Sequence, residues 1–309
     1  MTSPPERGVT RRNTIILQEV WENRLAQRLD KPQNWKETCD VMYTDTKTMV
    51  LPYISASNEP AVQTLLTSVA DRSDLSKVIV PQSVTMATET LDIVTMNYDS
   101  VYIDYADQAQ SNYAKIASMA DLLGKKIGER VESLVLAQAA SQTNFGDTGG
   151  GVLGLASTQI SVNANNVDEI MLGIIEQIYT ANGFDLYNRN GGFVEWRPQD
   201  WTYVVRFMQA NGFNMADAAL KNGGTIGIDY MGLYHYVSTL HTANHLFAGV
   251  RKILKLGLLG STFGKVYAVE HPSSSTAGFL SGTQVYHRLD YGFKTQTNVA
   301  GLVFDVNVV

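Results

Sequence analysis

Five histidines, a single cysteine and a run of glycines are the residues whose types and spacing invite a chemical reading. The stretch HTANH places His241 and His245 four apart, a helical spacing at which two imidazoles can grip a metal. A zinc peptidase needs a glutamate directly after the first histidine. Thr242 stands there instead, and no cysteine supports the pair. His235, His241, His245, His271 and His287 are therefore expected to be ordinary core or surface histidines. Cys39 has no histidine near it in sequence and no GxSxG elbow is present, so the lone thiol is expected to be buried and inert.

The glycine run NFGDTGGGVLGLA, Asn144 to Ala156, invites comparison with phosphate-binding loops. A Walker A loop needs GxxxxGK[ST], and no lysine or hydroxyl stands at the required places after Gly146. A Rossmann fingerprint needs a strand before its glycines, whereas a helical pattern precedes these. The run reads as a flexible turn, and no cofactor or metal is expected. Glu19, Glu22, Glu132 and Glu176 fall on predicted helices, where carboxylates are expected to be solvated, and nothing identifies an acid/base pair. Arg7, Arg11 and Arg12 make a small basic cluster that suits an arm tethered to an acidic neighbour.

Composition narrows the class. The 309 residues are 44% hydrophobic and 17% charged, with a formal net charge of −6. Such a chain can bury a sizeable core, in one large domain or two modest ones. It lacks the strong basicity of nucleic-acid-binding domains. A charged fraction below the usual quarter fits a surface covered by copies of the same chain. MTSPPERGVTRRN carries no apolar signal-peptide core, and no membrane-length apolar run occurs, so a soluble chain made in a cytoplasm is expected.

The elements that must position any of these residues follow from periodicity. Thr14 to Leu29 sets Ile16, Val20, Trp21 and Leu25 on one helical face, with Pro32 beyond its end. Polar, irregular flanks make it a helix on an arm. TDTKTMVLPYIS, holding Pro52, suits an edge strand. VIVPQSVTMATETLDIVTMNYDSVYIDYA is rich in β-branched residues, with Val101, Ile103 and Tyr105 alternating. The two runs predict a long hairpin from Tyr43 to Tyr105 with its tip between Ala56 and Lys77. No strands near it in sequence can bury its faces, so it is expected to project towards another molecule.

Asp107 to Ser141 is a long amphipathic helix: Tyr113, Ile116, Ala120, Leu123, Ile127, Val131 and Leu134 step by three and four. At about 1.5 Å per residue it would span roughly 50 Å. VDEIMLGIIEQIYTANGF predicts a second helix ending near Gly183, and FVEW a short strand before a helix opened by Pro198. TIGIDYMGLYHYVST and GKVYAVEH read as strands, with an ambiguous segment between them. QVYHRLDYGFKTQT, with Val285, His287, Leu289, Tyr291 and Phe293 on one face, and GLVFDVNVV close the chain as strands. One long helix among strands that form no simple βαβ series indicates an α+β fold.

This order of elements resembles the major capsid proteins of tailed bacteriophages, whose fold is shared with encapsulins and the herpesvirus capsid floor. YDSVYIDYADQAQSNYAKIASMADLLGKKIGERVESLVLAQA is similar to their strand leading from the extended loop into the spine helix. FVEWRPQDWTYVVRFM resembles the strand–proline–helix of their axial domain, GIDYMGLYHYVS a later strand, and VYHRLDYGFKTQT the final strand of the peripheral domain. The resemblance implies an N-terminal arm over 1–42 and an extended loop over 43–106. It further implies a peripheral domain over 107–145 and 285–309, and an axial domain over 146–284. It implies a non-enzymatic shell subunit that meets copies of itself as pentamers and hexamers, with assembly resting on Arg11, Arg12, Trp21, Asn58, Lys77 and Ile127.

The expected location is the virion capsid, assembled in the host cytoplasm. A portal, a decoration protein outside and non-specifically contacted packaged DNA complete the expected partners, and no membrane is among them. Some members begin with about a hundred residues of internal scaffold, for which this chain has no room, so a separate scaffolding protein is expected. An encapsulin-like compartment shell is the alternative, and a soluble enzyme with an unrecognised site a further one.

Overall fold

The computed structural model describes residues 33–54, 86–104, 115–139, 143–144, 160–211, 228–263, 265–271 and 282–308. The expected arm helix, the hairpin tip and all but the start of the glycine run lie outside them. So do Arg11, Arg12, Trp21, Asn58 and Lys77.

One sheet is built around a long strand, β12 (Gly282–Lys294). β4 (Thr95–Asp104) pairs with it antiparallel from Thr95↔Tyr291 to Asp104↔Gly282. The opposite edge of β12 is divided between β11 (Val266–His271) and β10 (Lys255–Leu259), both antiparallel to it. β1 (Asp40–Thr44) closes the sheet parallel to β10. The second sheet runs in the order β5 (Thr143–Asn144), β13 (Val303–Asn307), β9 (His245–Val250), β6 (Gly192–Trp196), β8 (Leu233–Val237) and β7 (Ile228–Tyr230). β2 (Thr48–Tyr53) and β3 (Ala87–Asp92) form a separate two-stranded ladder, from Thr48↔Asp92 to Tyr53↔Ala87.

The helices follow their sequence signals. A short turn, α1 (Trp35–Thr38), precedes the spine helix α2 (Lys115–Ala139). α3 (Val167–Thr180) carries Asp168 and Glu169 in its first turn, where acids favour the positive end of the helix dipole. A short helix α4 (Phe184–Asn190), unforeseen in the sequence, intervenes before β6. α5 (Pro198–Ala210) opens on its proline, whose missing N–H costs nothing in a first turn. Ile170 and Ile174 of α3 meet Phe193 and Trp196 of β6, Phe247 of β9 and Val306 of β13 in the main core. Each such side chain contributes about 1.5–3 kcal/mol by burial.

The spine helix unites the sheets. Leu123 packs with Ile103 and Val285 beside the first sheet, while Ile127, Val131 and Val135 enter the main core below the second. Gln33 crosses α2 at Gly128, where its amide fills the place a Cβ would take.

Several expectations need correction. The second arm of the predicted hairpin does not stand free. β2 and β3 pair as expected, but Thr95 to Asp104 joins β12 and Tyr43 belongs to β1. GIDYMGLYHYVS is two strands around a tight turn in which Met231 and Gly232 both take positive φ, the turn geometry that matches strand twist. HTANH is a turn running into β9, so its four-residue spacing stacks nothing on a helix. The sheets also link segments far apart in sequence. β10 and β11, placed by sequence in 146–284, pair with β12, while β13, placed with 285–309, pairs with β9.

Candidate functional site

The hairpin's base is fixed on one face and bare on the other. Leu51, Leu91 and Ile93 pack with Leu259 of β10 in a small apolar cluster. They can do so because Gly257 and Gly292, cross-strand partners on β10 and β12, leave the sheet without side chains beneath them. A Cβ on Gly257 would sit 2.3 Å from Leu91 Cδ2, and one on Gly292 would sit 2.0 Å from the Asp92 carbonyl oxygen. Glu89 ties the ladder down further. It accepts from the Thr297 N–H at 3.1 Å and pairs with Lys294 at 3.0 Å. Hydrogen bonds from Thr297, then from Lys294, hold its carboxyl at about 2 despite partial desolvation.

The other face is exposed. Val50 on the ladder and Ile54 and Met86 just beyond its outer end face water, as do Val94, Met96 and Tyr98 where the chain enters β4. Val94 is 79% exposed. Large apolar side chains exposed close together along the chain, at the ladder and at the start of β4, suit an interaction surface.

Ile127 is the one expected assembly residue within the described chain. It is buried, 5% exposed, and its role there is packing. Beside it a cleft of about 280 Å³ opens between α2 and the β4–β12 pair, lined by Asn97, Asp99, Lys126 and Arg130 among others. The Lys126–Asp99 pair within it, 3.1 Å apart, is solvated and contributes little to stability.

The groups that might have done chemistry are turned inward. His235 is fully buried. Trp196 Nε1 donates to its Nδ1 at 2.9 Å, so Nε2 carries the proton and donates to the Tyr230 carbonyl at 3.0 Å. Burial pushes its pKa down to about 4. His245 Nδ1 lies 2.6 Å from Asp305, and His241 is pushed down to about 3 by burial and then by Arg197. Cys39 is buried as expected, and burial raises its thiol pKa, which keeps it unreactive. Among the described residues no group of three or more His, Cys, Asp or Glu is placed to hold a metal, and no helix is long and apolar enough to cross a membrane.

Glu132 departs from expectation. Glu176 is exposed as predicted, but Glu132 is fully buried and meets Glu195, a second buried acid that sequence reasoning did not single out. The available signal was Glu195's position inside the apolar run FVEW of a strand buried at every residue.

No protein-family model matches the sequence, and no curated protein matches it. Solved structures do. A chain described as the asymmetric unit of the bacteriophage PhiM1 mature capsid is 11% identical, with TM-score 0.59, covering 94% of this chain and 91% of its own. A chain from the capsid of an empty GTA particle is 10% identical, with TM-score 0.62 and 92% coverage of both. A Gordonia phage Cozz chain is 11% identical, with TM-score 0.61, covering 100% of this chain and 98% of its own. At such identities the likeness is one of fold, and it extends over nearly the whole chain: this protein has the α+β fold of phage capsid chains.

Proposed function

We propose that this chain is the major capsid subunit of a tailed phage or a related particle, and that it builds an icosahedral shell from pentamers and hexamers of itself. The observation that carries the reading is the whole-length agreement with capsid chains from phage and GTA particles. The bare apolar face of the hairpin and of early β4 supports it, because such a surface needs a neighbour's cover. The likenesses reported are to phage and GTA particles, which favours the viral reading over an encapsulin-like compartment.

On this reading the spine helix with β4, β12 and β11 forms the peripheral region, and the six-stranded sheet with α3 and α5 the axial region. The arm with Arg11, Arg12 and Trp21 and the loop with Asn58 and Lys77 make contacts between subunits. A separate scaffolding protein, a portal, a decoration protein and packaged DNA are its partners, and the virion capsid, assembled in the host cytoplasm, is its place.

The test is particle formation. The chain, expressed alone and together with the neighbouring genes of its source, should give megadalton particles by light scattering and closed shells by negative-stain microscopy in at least one case. Val94→Asp with Met96→Asp, both at exposed positions, should preserve the circular dichroism spectrum and abolish the particles. Small oligomers under both expression conditions would overturn the reading.

A further inference from the structure

Two carboxyl groups meet in the interior where residues 33–39 cross the spine helix. Glu132 on α2 is fully buried and Glu195, in the middle of β6, is 1% exposed. The Trp35 N–H donates to Glu132 Oε2 at 2.8 Å, and the Asn34 backbone and Ser238 hydroxyl also serve Glu132. Asn34 Nδ2 donates to Glu195 Oε1 at 3.0 Å and to the Val237 carbonyl at 3.2 Å.

The remaining oxygens, Glu132 Oε1 and Glu195 Oε2, are buried without a donor, although the two side chains lie in hydrogen-bonding contact with each other. Ionised carboxylates only accept. Their contact becomes a hydrogen bond when one acid keeps its proton. Among the described residues no lysine, arginine or histidine forms an ion pair with either acid. Two bare charges here would therefore repel with only the hydrogen bonds from Trp35, Asn34 and Ser238, and no ion pair, to offset them.

We propose that Glu132 and Glu195 share a single proton, and that this proton is a latch holding residues 33–39 between the spine helix and the six-stranded sheet. The latch belongs to the subunit's interior and is independent of whether the chain builds a shell.

The surroundings favour retention of the proton. Burial raises both acids above the usual carboxylate range. For Glu195 the charge of Glu132 adds to the effect of burial. The Cys39 thiol at the end of α1 is itself held neutral by burial. Tyr236, the ladder partner of Glu195 on β8, is raised by burial and bound to Arg251. Glu129, one turn back on α2, is a further buried acid. Lys252, near Cys39, gives its ammonium to the Lys36 carbonyl.

Because the buried pair keeps one proton at pH values where the unfolded acids have released theirs, the native state holds the extra proton. The stabilisation is complete below the ordinary carboxylate range and is lost as pH rises through the raised values. Alkalinity, not acid, opens this junction.

The experiment uses the full chain as wild type, Glu195→Gln and Glu132→Gln. Infrared spectroscopy of the wild type at about neutral pH should show a protonated buried carboxyl stretch that disappears on further alkalinisation. Amide protection across residues 34–39, corrected for intrinsic exchange, should fall by up to about tenfold per pH unit above the ordinary carboxylate range. Either glutamine variant should flatten that fall, since its amide N–H donates where the proton did. A wild type with no protonated carboxyl stretch at neutral pH would overturn the proposal, and so would glutamine variants with the wild-type slope. If neither variant folds, the wild-type infrared spectrum decides alone.

Discussion

Gly257 and Gly292 face each other across β10 and β12, and the base of the hairpin rests on the bare patch they leave. The two are not equivalent. Above Gly257 lies the end of the Leu91 side chain, which can rotate away; above Gly292 lies the Asp92 backbone carbonyl, which cannot. Gly292→Ala should therefore lower thermal stability clearly more than Gly257→Ala, with an overpacking cost of about 1–3 kcal/mol. Equal midpoints in thermal melts of the two variants would show that the hairpin does not bear on the sheet there.

Ile127 tests the spine. An aspartate at this buried position places an unpaired charge against Val131 and the main core, at a cost of several kcal/mol. Ile127→Asp should be insoluble or fail to fold. Soluble protein with a wild-type melt would mean that α2 presents a different face to the core.

His235 predicts an acid limit. Its folded pKa of about 4 lies below the ordinary histidine value, so its contribution is present above about pH 6.5 and lost as pH falls towards 4. At stake is on the order of 3 kcal/mol. The melting temperature should decline through that window, and His235→Gln should decline less steeply. Trp196→Phe, which removes the donor to Nδ1, should cost about 1–3 kcal/mol at neutral pH. Parallel pH profiles for wild type and His235→Gln would refute the assignment.

The hairpin separates folding from assembly. Tyr53 and Ala87 are ladder partners at its outer end, so a short Gly-Ser link replacing Asn58 to Ser76 leaves that ladder intact. Far-UV circular dichroism should stay near wild type while light scattering reports only monomers or small oligomers. An unfolded variant would place the deleted segment in the subunit's own core, and normal particles would deny it any part in assembly.

How much of this was legible in sequence depended on where each residue's partner lies. The helix over Val167–Thr180 and the strand–proline–helix around Pro198 carry their signals within a few residues, and both stand where periodicity places them. The pairing of β4 with β12 left no such trace. Val101 and Ile103 announce a strand but not the distant segment that covers it. Glu132 misled for the same reason. Helical periodicity assigns a polar residue to solvent, whereas Asn34, Trp35 and Glu195 close over it from other parts of the chain. The apolar run FVEW marks Glu195 as buried, but nothing near either acid in sequence marks the other as its partner.

The topology also sets a schedule for the ribosome. β1 takes its partner from β10, β4 from β12 and β5 from β13, so each early strand leaves the exit tunnel long before the strand that will pair with it. The ladders close in the order in which their first strands were made, each only when its later strand, β10, β12 or β13, emerges. The nascent chain carries unpaired strand edges until late in translation, the condition under which non-local pairing is slow and misassembly competes with folding. Slowing translation should lengthen that exposed interval rather than help the chain.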